Sequence, residues 1–171
     1  EAVGVEGGGG VGRSAGDGAD VGGAGGEIGV CRVVEVIPEG AVAFAGYAAV
    51  FDVVDRAGDV VRRGAFSGAG VVPLLWQHRG GAVGTLTSVF VDARGLRVEG
   101  VVADLALARL VRGGAVAGLS VGYRATSVRQ GGRRELLSVE LVEVSLVAVP
   151  MQALARLEVL RHPDESQDPE P

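Results

Sequence analysis

The chain has 171 residues, 47% of them hydrophobic, and a formal net charge of −5. That length suits one domain with a sizeable core. The acidic balance argues against a protein held on nucleic-acid phosphates, and no apolar run approaches the roughly 20 residues that span a bilayer.

All 16 basic residues are arginine and asparagine is absent, a coding bias rather than a functional signal. The chain begins at Glu1 rather than Met, as expected of a processed or shortened product, and no signal-peptide pattern opens it. Residues 1–26 hold 12 of the 30 glycines and almost no large side chains, so they are expected to form a flexible leader. The Gly7–Gly10 run lacks the preceding strand and the Lys-Ser/Thr of a phosphate loop. Cys31, the single cysteine, falls in the apolar run Val30–Ile37 and reads as a small buried hydrophobe; it excludes an internal disulfide.

A folded domain is expected over residues 27–160. Short apolar or alternating runs recur at Val30–Ile37, Ala43–Val50, Val71–Trp76, Leu86–Val91, Leu96–Val102, Leu119–Thr126 and Leu136–Val149. Gly, Pro and Asp punctuate them, the pattern of strands in an antiparallel or barrel-like sheet. Leu86–Val91 and Leu96–Val102 form the clearest hairpin, with Gly95 available for a positive φ. One helix is signalled by Asp104 as N-cap, an apolar stripe of Leu107, Leu110 and Val111, and a stop at Gly113-Gly114. A second is expected over Met151–Leu160, after Pro150. Residues 161–171 are polar and acidic and are expected to form a disordered tail, which contains the second histidine, His162.

Three segments carry chemistry. Gly118-Leu119-Ser120-Val121-Gly122-Tyr123-Arg124 puts one hydroxyl between small residues on a strand-like run. Alternation places Gly118, Ser120, Gly122 and Arg124 on one face, leaving room for a peptide to approach the Ser120 hydroxyl. His78 follows the apolar Leu74-Leu75-Trp76 and precedes Arg79-Gly80-Gly81, read as a loop, a good place for a general base. Glu140 and Glu143 lie in the apolar run Leu136–Val149 with opposite strand parity. Glu143 sits in the more apolar stretch, where a carboxylate needs a partner such as imidazole; Glu140 is the alternative, and a salt bridge at a strand edge is open to either. Hydroxyl, imidazole and carboxylate are the groups a serine nucleophile requires. Arg124 is a candidate for substrate binding or oxyanion support, with Gly122 beside it, and a plain surface arginine is the equal alternative. Two scattered histidines and one cysteine do not make a zinc site, so neither metal nor cofactor is expected.

In order along the chain come Gly46-Tyr47-Ala48-Ala49-Val50-Phe51-Asp52, Asp55-Arg56-Ala57-Gly58-Asp59-Val60-Val61, Gly64-Ala65-Phe66, Pro73-Leu74-Leu75-Trp76-Gln77-His78, Gly118–Arg124 and Glu143-Val144-Ser145-Leu146-Val147. This ordered set, covering roughly Ala43 to Leu157, resembles the prohead (procapsid maturation) serine proteases of tailed phages and gene transfer agents. The resemblance implies an α+β, mainly β fold, a herpesvirus-assemblin-like closed β-barrel flanked by a few helices, with residues 27–160 as the protease domain. It implies an endopeptidase with Ser120 as nucleophile, His78 as base and Glu143 as third member, cutting the major capsid protein or a scaffold protein and also itself. The expected place is the immature capsid within the bacterial host cytoplasm, without nucleic acid or membrane as partner, and with a homodimer left open. Two departures from the family pattern are Arg79, where an acidic residue often follows the histidine, and Val149-Pro150-Met151-Gln152 in the closing segment.

Two other readings compete. A non-catalytic capsid-assembly module could use the same fold for binding alone. An α/β-hydrolase esterase would account for Gly118-x-Ser120-x-Gly122, but there the histidine comes last in the chain, whereas His78 precedes Ser120.

Overall fold

The computed structural model describes residues 37–67 and 70–160. The expectations for the leader, for Cys31 and the Val30–Val36 part of its run, and for the tail with His162 fall outside them. The described chain is mainly β, with strands β1 (Val42–Val50), β2 (Asp59–Val61), β3 (Leu74–Trp76), β4 (Arg79–Val91), β5 (Gly95–Val102), β6 (Gly118–Gln130), β7 (Arg134–Val147) and β8 (Leu157–Val159). Helix α1 (Leu105–Arg112) is the one helix among the described residues, where a few were expected.

The sheet runs β2-β7-β3-β4-β5-β1-β8, with β6 along the other edge of β7. It curls, because the segment entering β8 also bonds to β6: Leu119 N–H donates to Ala155 O at 3.0 Å and Leu157 N–H to Ala117 O at 3.0 Å. Fully buried Phe44, Leu74, Leu96, Leu119, Leu136 and Leu146 fill the interior. β1 has β5 on one side and β8 on the other, which explains its run of small, mostly buried residues. At Gly46 a Cβ would lie 2.2 Å from Arg156 O, so the strands approach there only because that position lacks a side chain.

Asp104 caps α1, its carboxylate accepting from Leu107 N–H at 2.8 Å. The helix ends at Gly113, and Gly114 takes φ +75°. The buried stripe is Leu107, Ala108 and Val111; Leu110 is exposed, because an eight-residue helix lying on a sheet covers a narrower face than the sequence pattern suggested.

The β4–β5 hairpin forms as expected, but Gly95 has an ordinary strand φ. Asp92 organises the turn instead, accepting from Arg94 N–H and Gly95 N–H, and Gly95 lacks a side chain because a Cβ would meet Ala49 O at 2.0 Å.

Residues 151–160 are not a helix. Gln152 is buried and pinned to the end of β1, accepting from Val50 N–H at 2.6 Å and donating to Val50 O at 2.9 Å. Ala155 and Leu157 then turn inward while Arg156 and Glu158 stay outside, the period-2 pattern of β8. β2 and β8, three residues each, carry too short a pattern to register in sequence.

Candidate active site

Strand β7 is the platform of the site. One edge pairs antiparallel with β6, placing Ser120 opposite Ser145 and Gly122 opposite Glu143. The other edge pairs parallel with β3, placing Leu75 beside Ser145. Ser120 and the β3 end therefore approach β7 from opposite flanks. Cross-strand partners share a face, so Ser120, Gly122, Glu143 and Ser145 form one side-chain set.

β3 reverses into β4 through a two-residue turn, Gln77-His78, closed by the Trp76–Arg79 pair. Both residues are left-handed, with φ of 50° and 60°, the geometry that hairpins ordinarily assign to Asn-Gly. Such φ values in ordinary side-chain-bearing residues cost about 1–3 kcal/mol each and persist where surrounding bonds over-determine them. Two bonds to β7 do so here: Gln77 N–H donates to Leu146 O at 3.0 Å, and His78 N–H to the Ser145 hydroxyl at 3.1 Å. The expected Arg79–Gly81 loop is absent, since β4 begins at Arg79 directly after the turn.

The turn brings the His78 ring onto Glu143, with Nδ1 2.5 Å from Oε1. The carboxylate side chain is 9% exposed and the imidazole 42% exposed. In a neutral ring, a carboxylate oxygen on Nδ1 selects the tautomer with its proton there and leaves Nε2 free to accept. The other carboxylate oxygen, Oε2, accepts from the Ser145 hydroxyl at 2.6 Å, and Ser145 is fully buried. Ser145 was not singled out from the sequence; the signal available was a hydroxyl two residues beyond Glu143 in an apolar strand, hence on its face.

Gly122 has a different place from the expected substrate contact. A Cβ there would lie 2.2 Å from Glu143 Oε1, so the carboxylate occupies the volume that a side chain would fill. Glu140 is separated from the site: it is exposed and pairs with exposed Arg124 at 3.0 Å. The parity argument that set Glu140 and Glu143 on opposite faces fails because the register shifts between Gly122 and Tyr123, with Val142 as the extra residue. Arg124–Glu140 and Gly122–Glu143 are successive rungs of one side-chain set.

Ser120 is 5% exposed, and its hydroxyl has no hydrogen-bond partner among the described residues. Ser120 itself lines a pocket of about 100 Å³, together with Ala48, Ala49, Val61, Tyr123 and Met151; neither His78 nor Glu143 is part of its wall. Burial, with the nearby Asp59 charge, holds the Tyr123 hydroxyl pKa above its ordinary value. No cluster of three or more metal-ligating side chains occurs among the described residues, and no helix there is long and apolar enough to cross a membrane.

A curled β-sheet carrying an imidazole–carboxylate pair beside a serine between glycines has the ingredients of a serine peptidase. The chain belongs to the family described as caudovirus prohead serine protease, whose model matches residues 31–168. Among solved structures, KSHV protease in complex with a hexapeptide phosphonate inhibitor aligns at 13% identity and TM-score 0.47, over 71% of this chain and 66% of that one. A second KSHV protease structure aligns at 14% identity and TM-score 0.47, over 71% and 62%. Varicella-zoster virus protease aligns at 18% identity and TM-score 0.44, over 74% and 67%. The chain thus spans about two thirds of the length of these viral proteases. No curated protein matches it in sequence.

Proposed function

We propose that the chain is an endopeptidase in which Ser120 is the nucleophile, His78 the general base and Glu143 the third member. The observation that carries this reading is the 2.5 Å contact between His78 Nδ1 and Glu143 Oε1, on the strand that pairs with Ser120. In this mechanism His78 Nε2 takes the Ser120 proton as Oγ attacks the scissile carbonyl. The Nδ1 proton stays on the ring, and the imidazolium is stabilised by the Glu143 carboxylate. Nε2 then gives its proton to the leaving amine, and water repeats the cycle on the acyl-enzyme. The Arg124–Glu140 pair supports a surface role for Arg124 rather than a place at the oxyanion.

The substrate is the major capsid protein or its scaffold, cut inside the immature capsid of a phage-like particle in the bacterial host, and the enzyme also cuts itself. Family membership supports this assignment. Co-expression with the capsid protein, followed by intact-mass measurement, tests it. Wild type should yield defined capsid-protein fragments and Ser120→Ala none; equal cleavage by both would remove Ser120 from the mechanism. The second reading, a capsid-assembly module without catalysis, draws on Ser120 being nearly buried, at 5% exposure. It predicts an intact substrate that co-purifies with both proteins.

A further inference from the structure

Two serines face each other on the β6–β7 ladder, and the structure gives them opposite circumstances. Ser120 has an uncommitted hydroxyl beside two glycines. Ser145 is fully buried, its single proton committed to Glu143 Oε2 at 2.6 Å, while its oxygen accepts from the His78 main-chain N–H at 3.1 Å. A hydroxyl bound in both directions and shut off from solvent cannot meet a peptide. It can hold two other groups in fixed relation.

Those two groups are the ones the mechanism must align. The Glu143 carboxylate touches His78 twice: directly through Oε1 on Nδ1, and indirectly through Oε2, the Ser145 hydroxyl and the His78 N–H. The ring and the backbone of one histidine are thereby clamped to one carboxylate. His78 needs this because it sits at φ 60° in a turn whose preferred residue there is glycine. Without the Ser145 oxygen, one of the two main-chain bonds that tie the turn to β7 is gone, and the Glu143 carboxylate has also lost its second donor. Satisfied buried networks of this kind fix one geometry, and partly satisfied ones relax.

We propose that Ser145 is a positioning residue that sets the angle of Glu143 and the His78 turn together, so that Nε2 is aimed at Ser120. This rests on the Ser120–His78–Glu143 reading.

The test uses the full chain and two readouts. The first is the rate of Ser120 labelling by a fluorophosphonate; the second is the proton NMR resonance of the His78 Nδ1–H, which a short bond to carboxylate moves far downfield. Ser145→Ala is expected to slow labelling on the order of 10–100-fold, as loss of an orienting partner does, and to broaden or abolish the resonance. Ser145→Thr, which keeps the hydroxyl, should recover both. Should Ser145→Ala not fold, Ser145→Cys, of similar size and with a weak donor, should show the same loss. A folded Ser145→Ala with an unchanged resonance and a labelling rate within about twofold of wild type would overturn the proposal, as would an adduct on Ser145. Failure of the underlying reading looks different. Wild type would then escape labelling, or label equally well as Ser120→Ala, while the resonance comparison between wild type and Ser145→Ala would still decide the role of Ser145.

Discussion

Replacing Gly122 by Ala adds one methyl group, and the structure says where it goes. The new Cβ would lie 2.2 Å from Glu143 Oε1 and 2.8 Å from both Cδ and Cγ. Ordinary contact begins at 3.4 Å, so the carboxylate must retreat by about 1.2 Å. Retreat breaks the 2.5 Å contact with His78 Nδ1 and strains the 2.6 Å bond from Ser145. Hydrogen bonds to a charged group are worth about 1.5–3 kcal/mol each, against a gain of about 0.5–1 kcal/mol from removing a glycine from a strand. A net destabilisation of about 1–2 kcal/mol follows, visible in a thermal melt. The kinetic effect is larger, because a displacement near 1 Å in a catalytic array costs on the order of 10²-fold. The assay is the fluorophosphonate labelling rate of Ser120 in the four proteins of a cycle: wild type, Gly122→Ala, Glu143→Ala and the double variant. Since the methyl acts only by displacing the carboxylate, it should slow wild type about 10²-fold and the Glu143→Ala protein hardly at all. Equal losses in both backgrounds, or a Gly122→Ala protein as fast as wild type, would show that the methyl does not act through the Glu143 carboxylate.

Glu140→Gln removes only an exposed ion pair, so labelling should stay within about twofold of wild type and stability within about 0.5 kcal/mol; a large loss in labelling would make Glu140 the working carboxylate. Asp104→Ala removes the α1 cap and should cost about 1 kcal/mol in a denaturant melt without changing the labelling rate. On the acid side, the Arg62 guanidinium holds both the Asp52 and Glu135 carboxyls below the usual carboxylate range, with Arg63 aiding at Asp52 and Arg129 at Glu135. Depressed folded-state values mean stability that is complete above the ordinary carboxylate pKa and lost as pH falls through the folded ones. Arg62→Met should therefore flatten the fall in melting temperature on acidification; an unchanged slope would show that these pairs contribute nothing.

The long strands and α1 were legible because their patterns repeat: alternation through β5 and β6, and Asp104 with its double-glycine stop. Met151–Leu160 misled for a definite reason. Pro150 and the apolar residues after it satisfy a helix template locally, while Gln152 finds its partners on β1, about a hundred residues back in the chain. Local propensity cannot register such a pairing. His78 was legible as the one histidine after an apolar strand, yet its left-handed turn was not, since nothing in Gln77-His78 advertises a conformation that usually needs Asn-Gly. Parity could not separate Glu143 from Glu140, because a single extra residue at Val142 puts both on one face; what separates them is the contact of Glu143 with His78. Ser145 lay hidden as a small residue in an apolar strand. Its role emerges only when β3 and β7 are paired in space.

In the proposed mechanism an alcohol on β6 is activated by an imidazole held over β7. Treating the full chain with a fluorophosphonate and mapping the adduct by peptide mass spectrometry decides this. A single adduct on Ser120, lost in His78→Ala, is the expected result. An adduct elsewhere, or one on Ser120 that forms equally well without His78, would contradict it.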